Sequence, residues 1–338
     1  VRCTALGSAH ERRRSGAPMS AVLEVRDLHV EFDIEFGHLH AVRGVSVALC
    51  ARDRLGIVGE SGCGKSTLVL AMMGLLPPNA EVSGQVLFDG VDILAGGDSG
   101  MRPHRWRDIA MVFQGAMNAF NPVRTIGEQI AEPIRIHRGA SRRDANERVG
   151  ELLEMVGIPA RRAAGYPHEF SGGMRQRAAL AMALACGPKV LLADEPTTAL
   201  DVIVQAEILR LLRRVSDNLG IALVFISHDL PAVVQVTERV AVMYAGRVVE
   251  EAPVTRLLSA PCHPYTRALL AAVTRPQTAT GVRSIPGEPP RLDTEVIGCA
   301  FAPRCPSVEA MCRNAEPPRV AVGESVAACH LADRGWQG

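Results

Sequence analysis

Residues 59–66 read Gly59-Glu60-Ser61-Gly62-Cys63-Gly64-Lys65-Ser66 and fit the pattern G-x-x-x-x-G-K-[S/T]. This stretch, the phosphate loop, follows a strand-like apolar run, 54–58, and precedes a helical run, 65–75, that Pro77-Pro78 ends. Glycines let backbone N–H groups approach phosphate oxygens without a Cβ clash, and a helix N-terminus adds a favourable dipole. Lys65, one of two lysines, is placed to reach the terminal phosphates, and Ser66 to bind Mg²⁺. The stretch therefore predicts a nucleotide site in an α/β fold.

A second apolar strand, 190–193, is followed directly by Asp194 and Glu195. In open α/β sheets, ligands bind beyond the carboxyl ends of the strands. We expect Asp194 to hold Mg²⁺, through its water, and Glu195 to polarise the attacking water. Strands alternate with helices up to about residue 258, which predicts an α/β core with a largely parallel sheet.

The composition sets limits on the function. The 338 residues are 47% hydrophobic and 22% charged, which is typical of a globular protein. The net charge of +1 and an aromatic content of 4% argue against nucleic-acid binding as the main role. No apolar run approaches the roughly 18 residues of a membrane span, and no secretory signal is recognised. We therefore expect a cytoplasmic location.

The chain divides into regions of different character. Residues 1–19 are expected to be a disordered tail, with Met19 as an alternative to Val1 as the translation start. Residues 117–186 contain a helical block and are expected to form an inserted subdomain. Residues 259–338 are rich in proline, hold five of the nine cysteines, and are expected to form a C-terminal extension.

A further anion-binding turn precedes a predicted helix at Ser171, Gly172 and Gly173. Residues 170–174 resemble the signature motif of ATP-binding cassette (ABC) proteins, whose commonest form has Leu first and Gln last. The resemblance implies an ABC ATPase cassette over residues 20–258, with a mostly parallel core sheet, an antiparallel β subdomain and an inserted helical subdomain.

Other motifs resemble the ABC pattern and appear in its order. Gln114 resembles the Q-loop glutamine, Asp201 lies in a segment that resembles the D-loop, and His228 resembles the switch histidine. Phe36 stands at about the distance at which the family places its adenine-stacking aromatic. Phe32 and His40 are near, and a core aromatic is the alternative for Phe36.

The resemblance implies two cassettes arranged head to tail, with each ATP between the phosphate loop of one and the signature motif of the other. Lys65, Glu195 and His228 are then the catalytic residues, and the signature residues and Asp201 act at the shared interface. Ser66, Gln114 and Asp194 are the expected Mg²⁺ ligands. The expected nucleotide-binding residues are Gly59, Ser61, Gly62, Cys63, Gly64, Lys65, Ser66, Thr67, Gln114 and Asp194.

His263-Pro264-Tyr265-Thr266-Arg267 and residues 285–290 resemble the tail of ATPase subunits from dipeptide and oligopeptide importers, part of which nickel importers share. The resemblance implies the ATP-hydrolysing subunit of a bacterial importer, peripheral to the cytoplasmic face of the membrane. Its implied partners are two permease subunits, a second and more often related cassette, and an extracytoplasmic solute-binding protein, without nucleic acid. The cargo stays open among dipeptides, longer peptides, nickel chelates and other solutes.

Four cysteines follow with the spacing C-x5-C-x6-C-x16-C: Cys299, Cys305, Cys312 and Cys329. Four thiolates suit zinc or an iron–sulfur cluster, but the spacing is neither a zinc knuckle nor a ferredoxin run. Some members of the importer subfamily carry a [4Fe–4S] cluster on such a tail, so the resemblance predicts that cluster. Zinc and unligated thiols are the alternatives, and His330 is a spare candidate ligand.

Two other functions compete with import. Soluble ABC ATPases that act on DNA or ribosomes usually have two cassettes, a long coiled coil or zinc insertions, and none is recognised in this sequence. A regulatory module that binds nucleotide without turnover would not require Glu195 and His228. The sequence therefore favours an importer ATPase.

Overall fold

The structure, a computed structural model, describes residues 20–35, 37–115, 119–274, 285–294 and 296–334. The predicted tail over residues 1–19 lies outside them. The strands are β1 (Ala21–Ile34), β2 (Gly37–Cys50), β3 (Arg54–Val58), β4 (Ala80–Phe88), β5 (Val91–Asp92), β6 (Ile109–Val112), β7 (Val190–Asp194), β8 (Ala222–Ile226), β9 (Arg239–Tyr244), β10 (Arg247–Pro253), β11 (Arg319–Val322) and β12 (Ser325–Ala328). The helices are α1 (Lys65–Met72), α2 (Gly97–Met101), α3 (Ile126–Arg138), α4 (Arg142–Met155), α5 (Gly172–Ala183), α6 (Val202–Leu219), α7 (Leu230–Val236), α8 (Val254–Ser259), α9 (Pro264–Thr274) and α10 (Ala310–Asn314).

The central sheet has the order β11-β12-β10-β9-β3-β8-β7-β6. Strand β3 pairs in parallel with β8 and β9, and β7 pairs in parallel with β8 and β6. Every residue of β3, β7 and β8 is buried, which explains why these strands read as continuous apolar runs. The predicted α/β cassette with a mostly parallel core is confirmed.

A second, antiparallel sheet has the order β2-β1-β4-β5. Its buried side chains pack with α1 and residues of the central sheet in one apolar cluster, which includes Leu23, Leu28, Leu55, Ile57 and Leu68. The long β1–β2 pairing runs from Ala21 opposite Cys50 to Ile34 opposite Gly37. The antiparallel β subdomain that the resemblance implied is present.

A second apolar cluster joins central-sheet residues to the helices α3 to α7. Helices α3, α4 and α5 come between β6 and β7, and side chains cap each of them. Thr125 and Glu128 form a reciprocal capping box on α3, while Ser141 and Ser171 accept amide hydrogen bonds at the start of α4 and α5. These helices fall inside the predicted block 117–186, whose bounds stay a prediction. Among the described residues, no helix combines the length and the apolar character that crossing a bilayer requires.

The C-terminal extension continues the cassette. Strand β12 pairs antiparallel with β10, so the central sheet runs on into the extension. Tyr265 and Phe301 are fully buried in the same apolar cluster as the helices. Strands β11 and β12 were not predicted, because each has four residues and no clear apolar alternation.

A buried carboxylate anchors the start of this extension. Both oxygens of Glu250, which is 0% exposed, accept backbone hydrogen bonds, from Cys262 at 2.7 Å and His263 at 2.8 Å. His263 Nδ1 accepts the amide of Tyr265 at 3.0 Å, just before α9 begins with Pro264. Proline suits a first helical position, since its missing N–H would lack an intrahelical partner there. The His-Pro-Tyr run is therefore a helix start fixed from β10.

The buried imidazole of His263 predicts a pH-dependent stability. Burial lowers the pKa of His263 from 6.5 to about 3, so the unfolded chain binds one more proton between these values. The contribution of neutral His263 to the free energy of unfolding is full above pH 6.5, the pKa of the unfolded chain, and is lost as the pH falls below it. Between about pH 7.5 and about pH 5, His263 should lower the free energy of unfolding by about 2 kcal/mol.

Urea denaturation at both pH values measures this effect in the parent chain and in His263→Asn. Asparagine keeps an acceptor for the Tyr265 amide but does not titrate. His38→Asn, at an exposed site, is the matched control and should keep the pH dependence of the parent. An unchanged pH dependence in His263→Asn would contradict this prediction.

Candidate nucleotide site

The predicted motifs meet at the carboxyl ends of four strands. The phosphate loop follows β3, Gln114 follows β6, Asp194 ends β7, and His228 follows β8. A cavity of about 470 Å³ lies there. Its lining residues are Phe32, Leu39, Ala41, Glu60, Ser61, Gly62, Cys63, Gly64, Lys65, Ser66, Thr67, Gln114, Glu195, Tyr244, Ala245, Pro289, Pro290 and Leu292.

Two glycines of the phosphate loop lie against backbone. A Cβ at Gly59 would lie 2.2 Å from the carbonyl oxygen of Met243, and one at Gly64 would lie 2.1 Å from that of Ala41. Gly64 also has a φ of +101° and stands just before α1 without a side-chain cap. The first amides of α1 are therefore left for an anion, which is the arrangement that binds phosphate.

Lys65 is 5% exposed and lines the cavity. Its ammonium donates to the carbonyl oxygens of Gly59 at 2.9 Å and Glu60 at 2.8 Å. Its third contact is a weak one, with Cys63 Sγ at 3.7 Å. An ammonium has three donors. The loop carbonyls thus fix the ammonium while one donor remains available for a stronger acceptor, such as a phosphate oxygen.

Oxygen ligands for a divalent cation lie together beside this loop. The Ser66 hydroxyl donates to Asp194 Oδ1 at 3.1 Å. Burial raises the pKa of Asp194, the Ser66 hydrogen bond opposes that rise, and the nearby Glu195 charge adds to it. A hydroxyl and a carboxylate, with the Gln114 amide near, are a donor set that Mg²⁺ accepts.

Glu195 is held by three side chains. His228 Nδ1 lies 3.0 Å from Glu195 Oε1, and Oε2 accepts from Thr198 at 2.8 Å and Gln114 at 3.3 Å. Burial alone would raise the pKa of Glu195, but the hydrogen bonds from His228 and Thr198 outweigh it and lower this pKa below its ordinary value. The backbone φ of Glu195 is +44°, a strained value for a side chain with a Cβ. The carboxylate is therefore ionised and fixed in place.

Aromatic and aliphatic side chains also line the cavity. Phe36 lies outside the described residues, so its role stays a prediction, and among the described residues Phe32 and Leu39 contribute to the lining. Pro290, from the stretch that resembles the importer tail, lines it too, as do Tyr244 and Leu292, which no motif marks. Their contribution comes from the fold, which brings distant segments to the phosphate loop.

Some predicted residues lie elsewhere. Ser171 caps α5 by accepting the Met174 amide at 3.3 Å, and Gly172 and Gly173 begin that helix. Asp201 caps α6 through the Val204 amide at 2.9 Å. Within the described part of the chain, the cavity lining includes none of Ser171, Gly172, Gly173 or Asp201.

Comparison with known proteins agrees with this geometry. The family model described as ABC transporter matches residues 42–198, and that of the oligopeptide/dipeptide transporter C-terminal region matches residues 249–312. A "probable peptide ABC transporter ATP-binding protein" of Sinorhizobium fredii is 48% identical over 90% of this chain and 93% of its own.

The chain belongs to the ABC transporter ATP-binding proteins. The dipeptide transport ATP-binding protein DppD of Bacillus subtilis is 44% identical over 94% of this chain and 96% of its own. A dimeric ATP-binding cassette in a post-hydrolysis state, bound to ADP and Pi, is similar in structure with a TM-score of 0.62 and 29% identity. The structural match covers 69% of this chain and 98% of that cassette. This ABC ATPase therefore has the fold of a complete cassette.

In this ABC protein, the C-terminal extension contacts the phosphate loop at Glu60. Arg304 binds both carboxylate oxygens of Glu60, at 2.7 and 2.9 Å, and its side chain is 4% exposed. The Tyr265 hydroxyl accepts the Glu60 amide at 2.9 Å. These hydrogen bonds fix one residue of the phosphate loop through both its backbone and its side chain. Neither contact was predicted from the sequence. Tyr265 belongs to the stretch that resembles the importer tail, but nothing local links Tyr265 or Arg304 to Glu60.

The expectation of a [4Fe–4S] cluster is wrong. Among the described residues, no group of three or more His, Cys, Asp or Glu side chains is arranged to hold a metal ion, which also removes the zinc alternative. The four predicted cysteines, Cys299, Cys305, Cys312 and Cys329, are free thiols around a cavity of about 10 Å³, room for about one water. Burial raises the pKa of Cys299 and Cys305, and that of Cys329 to about 11, which favours protonated thiols. The candidate ligand His330 donates through Nε2 to the carbonyl oxygen of Ala315 at 2.9 Å.

The Glu60–Arg304 pair predicts a strong energetic coupling. In a double-mutant cycle of Glu60→Gln and Arg304→Met, the double variant should lose about 1–2 kcal/mol less unfolding free energy than the sum of the two single losses. The reason is that removing either partner of a buried pair leaves the other uncompensated. Urea denaturation of the four chains measures the coupling.

The matched control is the exposed pair of Arg124 and Glu132, whose side chains are 39% and 49% exposed. The same cycle there should give a coupling below about 0.5 kcal/mol. Additive losses at Glu60 and Arg304 would contradict the coupling.

Proposed function

We propose that this chain is the ATP-hydrolysing subunit of a bacterial importer of dipeptides or oligopeptides. The match of residues 249–312 to the oligopeptide/dipeptide transporter C-terminal region carries the proposal, because that model describes peptide transporters rather than ABC proteins in general. DppD and the Sinorhizobium relative align over most of this chain, and their names, which refer to dipeptide and peptide transport, support the proposal. We assign residues 20–258 to the cassette and residues 259–338 to the extension.

The phosphate loop binds the triphosphate of ATP. The amides at the start of α1 and the Lys65 ammonium donate to its oxygens, with Lys65 exchanging its weak contact with Cys63 Sγ. Ser66, Asp194 and Gln114 would hold Mg²⁺, which neutralises charge on the phosphates when bound. The remaining loop residues of the predicted set are Gly59, Ser61, Gly62, Gly64 and Thr67, of which all but Gly59 line the cavity.

Glu195 is the general base. Its lowered pKa keeps it ionised at neutral pH, so it can accept a hydrogen bond from the attacking water and orient it. His228 donates through Nδ1, because a carboxylate only accepts. In the imidazolium form Nε2 would also donate, to an oxygen of the terminal phosphate. Gln114 contacts the same carboxylate and links β6 to the reaction. Lys65, Glu195 and His228 together position and stabilise the transferred phosphoryl group.

A second cassette completes the site. Ser171, Gly172 and Gly173 lie away from the cavity of their own chain and are exposed or half-buried at the start of α5, where they can meet the ATP of a partner. Beside Asp201, Val202 and Ile203 are 82% and 75% exposed. Adjacent exposed apolar side chains are a feature of protein interfaces. We assign this face to the partner cassette, a related chain.

The membrane partners are two permease subunits, contacted through the region around Gln114. Phe113 and Val123 are 43% and 79% exposed there. Closure of the two cassettes on ATP would move this region and so couple nucleotide state to the permeases. An extracytoplasmic solute-binding protein would deliver the peptide, and this chain would lie at the cytoplasmic face.

The role of Glu195 is tested with Glu195→Gln. This change removes the ionised acceptor but keeps the side-chain volume, so turnover should fall about 100-fold or more. ATP affinity should change less than about threefold, because the phosphate loop is intact. Phosphate release and equilibrium binding of Mg-ATP measure the two effects. Glu324→Gln, at an exposed turn residue, should match the parent. Unchanged turnover in Glu195→Gln would refute the assigned role.

The importer role is tested by purifying the tagged chain from gently solubilised membranes and identifying its partners by mass spectrometry. Two multi-span permease chains and a second cassette are expected. Val123→Asp should reduce permease recovery, whereas Val91→Asp, a 63% exposed apolar residue on the antiparallel sheet, should not. Recovery from the soluble fraction alone, with nucleic acid or ribosomes, would contradict transport and leave the ATPase assignment intact.

A further inference from the structure

A segment of the C-terminal extension lines the cavity that contains the phosphate loop. Pro289, Pro290 and Leu292 contribute to the lining together with Phe32 and Leu39 of β1 and β2. We call residues 285–292 the strap. The family matches divide the chain between cassette and extension, but this cavity takes lining residues from both.

The first part of the strap is fixed to the phosphate loop by Arg304. The guanidinium donates to the carbonyl oxygens of Ile285 and Pro286, both at 3.0 Å, while it binds the Glu60 carboxylate. Gly287, with a φ of +78°, passes close to this side chain: a Cβ there would lie 3.3 Å from Arg304 Cγ. One buried guanidinium therefore sets the position of the strap relative to the phosphate loop.

The far end of the strap is fixed to β2. The backbone amide of His40 donates to the carbonyl oxygen of Leu292 at 2.9 Å. Between the two attachments lie Pro289 and Pro290, whose rings restrict the backbone and offer no N–H. The strap therefore enters the cavity already ordered, so that little conformational freedom is lost when a ligand packs on it.

The lining of the cavity combines two kinds of chemistry. Backbone amides and the Lys65 ammonium lie at the phosphate loop, whereas Pro289, Pro290, Leu292 and Phe32 supply apolar surface. A nucleotide has the same division, with a charged phosphate chain and a flat, weakly polar base. Largely apolar lining with a few placed polar groups is typical of small-molecule sites.

We propose that the strap is one wall of the base-binding subsite, in which Pro289, Pro290 and Leu292 pack against the purine ring of ATP together with Phe32 and Leu39. This inference rests on the proposed function, since it requires that the phosphate loop binds the triphosphate. It gives the extension a direct part in nucleotide binding.

The test compares two probes that share the phosphates and differ in the base. Mg-ADP and Mg-pyrophosphate are titrated by calorimetry into the full chain, into Leu292→Ser and into Ile297→Ser. Leu292→Ser removes apolar surface but keeps the backbone carbonyl that His40 uses. Ile297, which is 70% exposed and outside the cavity lining, provides the matched control. If Leu292→Ser does not fold, as judged by circular dichroism, Pro290→Ala replaces it.

We expect Leu292→Ser to weaken Mg-ADP about fivefold, from lost apolar contact, with Mg-pyrophosphate unchanged and Ile297→Ser equal to the parent. Unchanged Mg-ADP affinity in both strap variants would overturn the inference and leave the proposed function standing. Equal weakening of both probes would also overturn it, because the strap would then act only through the phosphate loop. A parent chain that binds neither probe would overturn the proposed function and the inference with it.

Discussion

The parallel pairing of four neighbouring strands is the constraint on which the nucleotide site depends. In the order β3-β8-β7-β6, the strands end at the phosphate loop, at His228, at Asp194 and at Gln114. Parallel strands lie about 4.8 Å apart with their carboxyl ends at one edge, so side chains that follow them can reach each other. Two distances bear this out: Ser66 Oγ lies 3.1 Å from Asp194, and His228 Nδ1 lies 3.0 Å from Glu195. Residues far apart in sequence thus form one site through strand order alone.

The residues at this edge of the sheet set the pKa of Glu195. Its burial favours the neutral acid, but His228 and Thr198 hydrogen-bond to the carboxylate and favour the ion. The same hydrogen bonds that keep Glu195 ionised reduce its basicity, so a change in the contact with His228 or Thr198 alters the strength of the base. The positive φ of Glu195 costs about 1–3 kcal/mol, which the surrounding contacts must offset. The rigidity of this residue therefore comes from its neighbours rather than from its own backbone preference.

The sequence predicted those features that short, contiguous patterns encode. The phosphate loop, the carboxylates after β7 and the cassette fold belong to this class, because a strand and the loop behind it carry their own signal. The Glu60–Arg304 contact spans 244 positions and leaves no local pattern. The four cysteines of the extension are a case in which a sequence pattern predicted a site that the structure does not contain among its described residues. Their spacing suggested a cluster, yet metal binding depends on how the ligands are arranged in space, and the described residues contain no group of three or more arranged to hold a metal ion.

Glu60 joins the two parts that the family matches separate. Its amide is bound by the Tyr265 hydroxyl and its carboxylate by Arg304, so the extension supplies two fixed contacts to a loop that the core already confines at Gly59. The extension is itself tied to β10 by the buried carboxylate of Glu250, whose oxygens accept two amides of the segment before α9. Removing one partner of a buried hydrogen bond costs more free energy of folding than the intact bond contributes, because the remaining polar group stays buried without a partner. Separating the extension from the cassette would leave two carboxylates of the cassette, Glu250 and Glu60, without the partners that the extension supplies. The two regions are therefore physically one unit, and the phosphate loop is shaped by both.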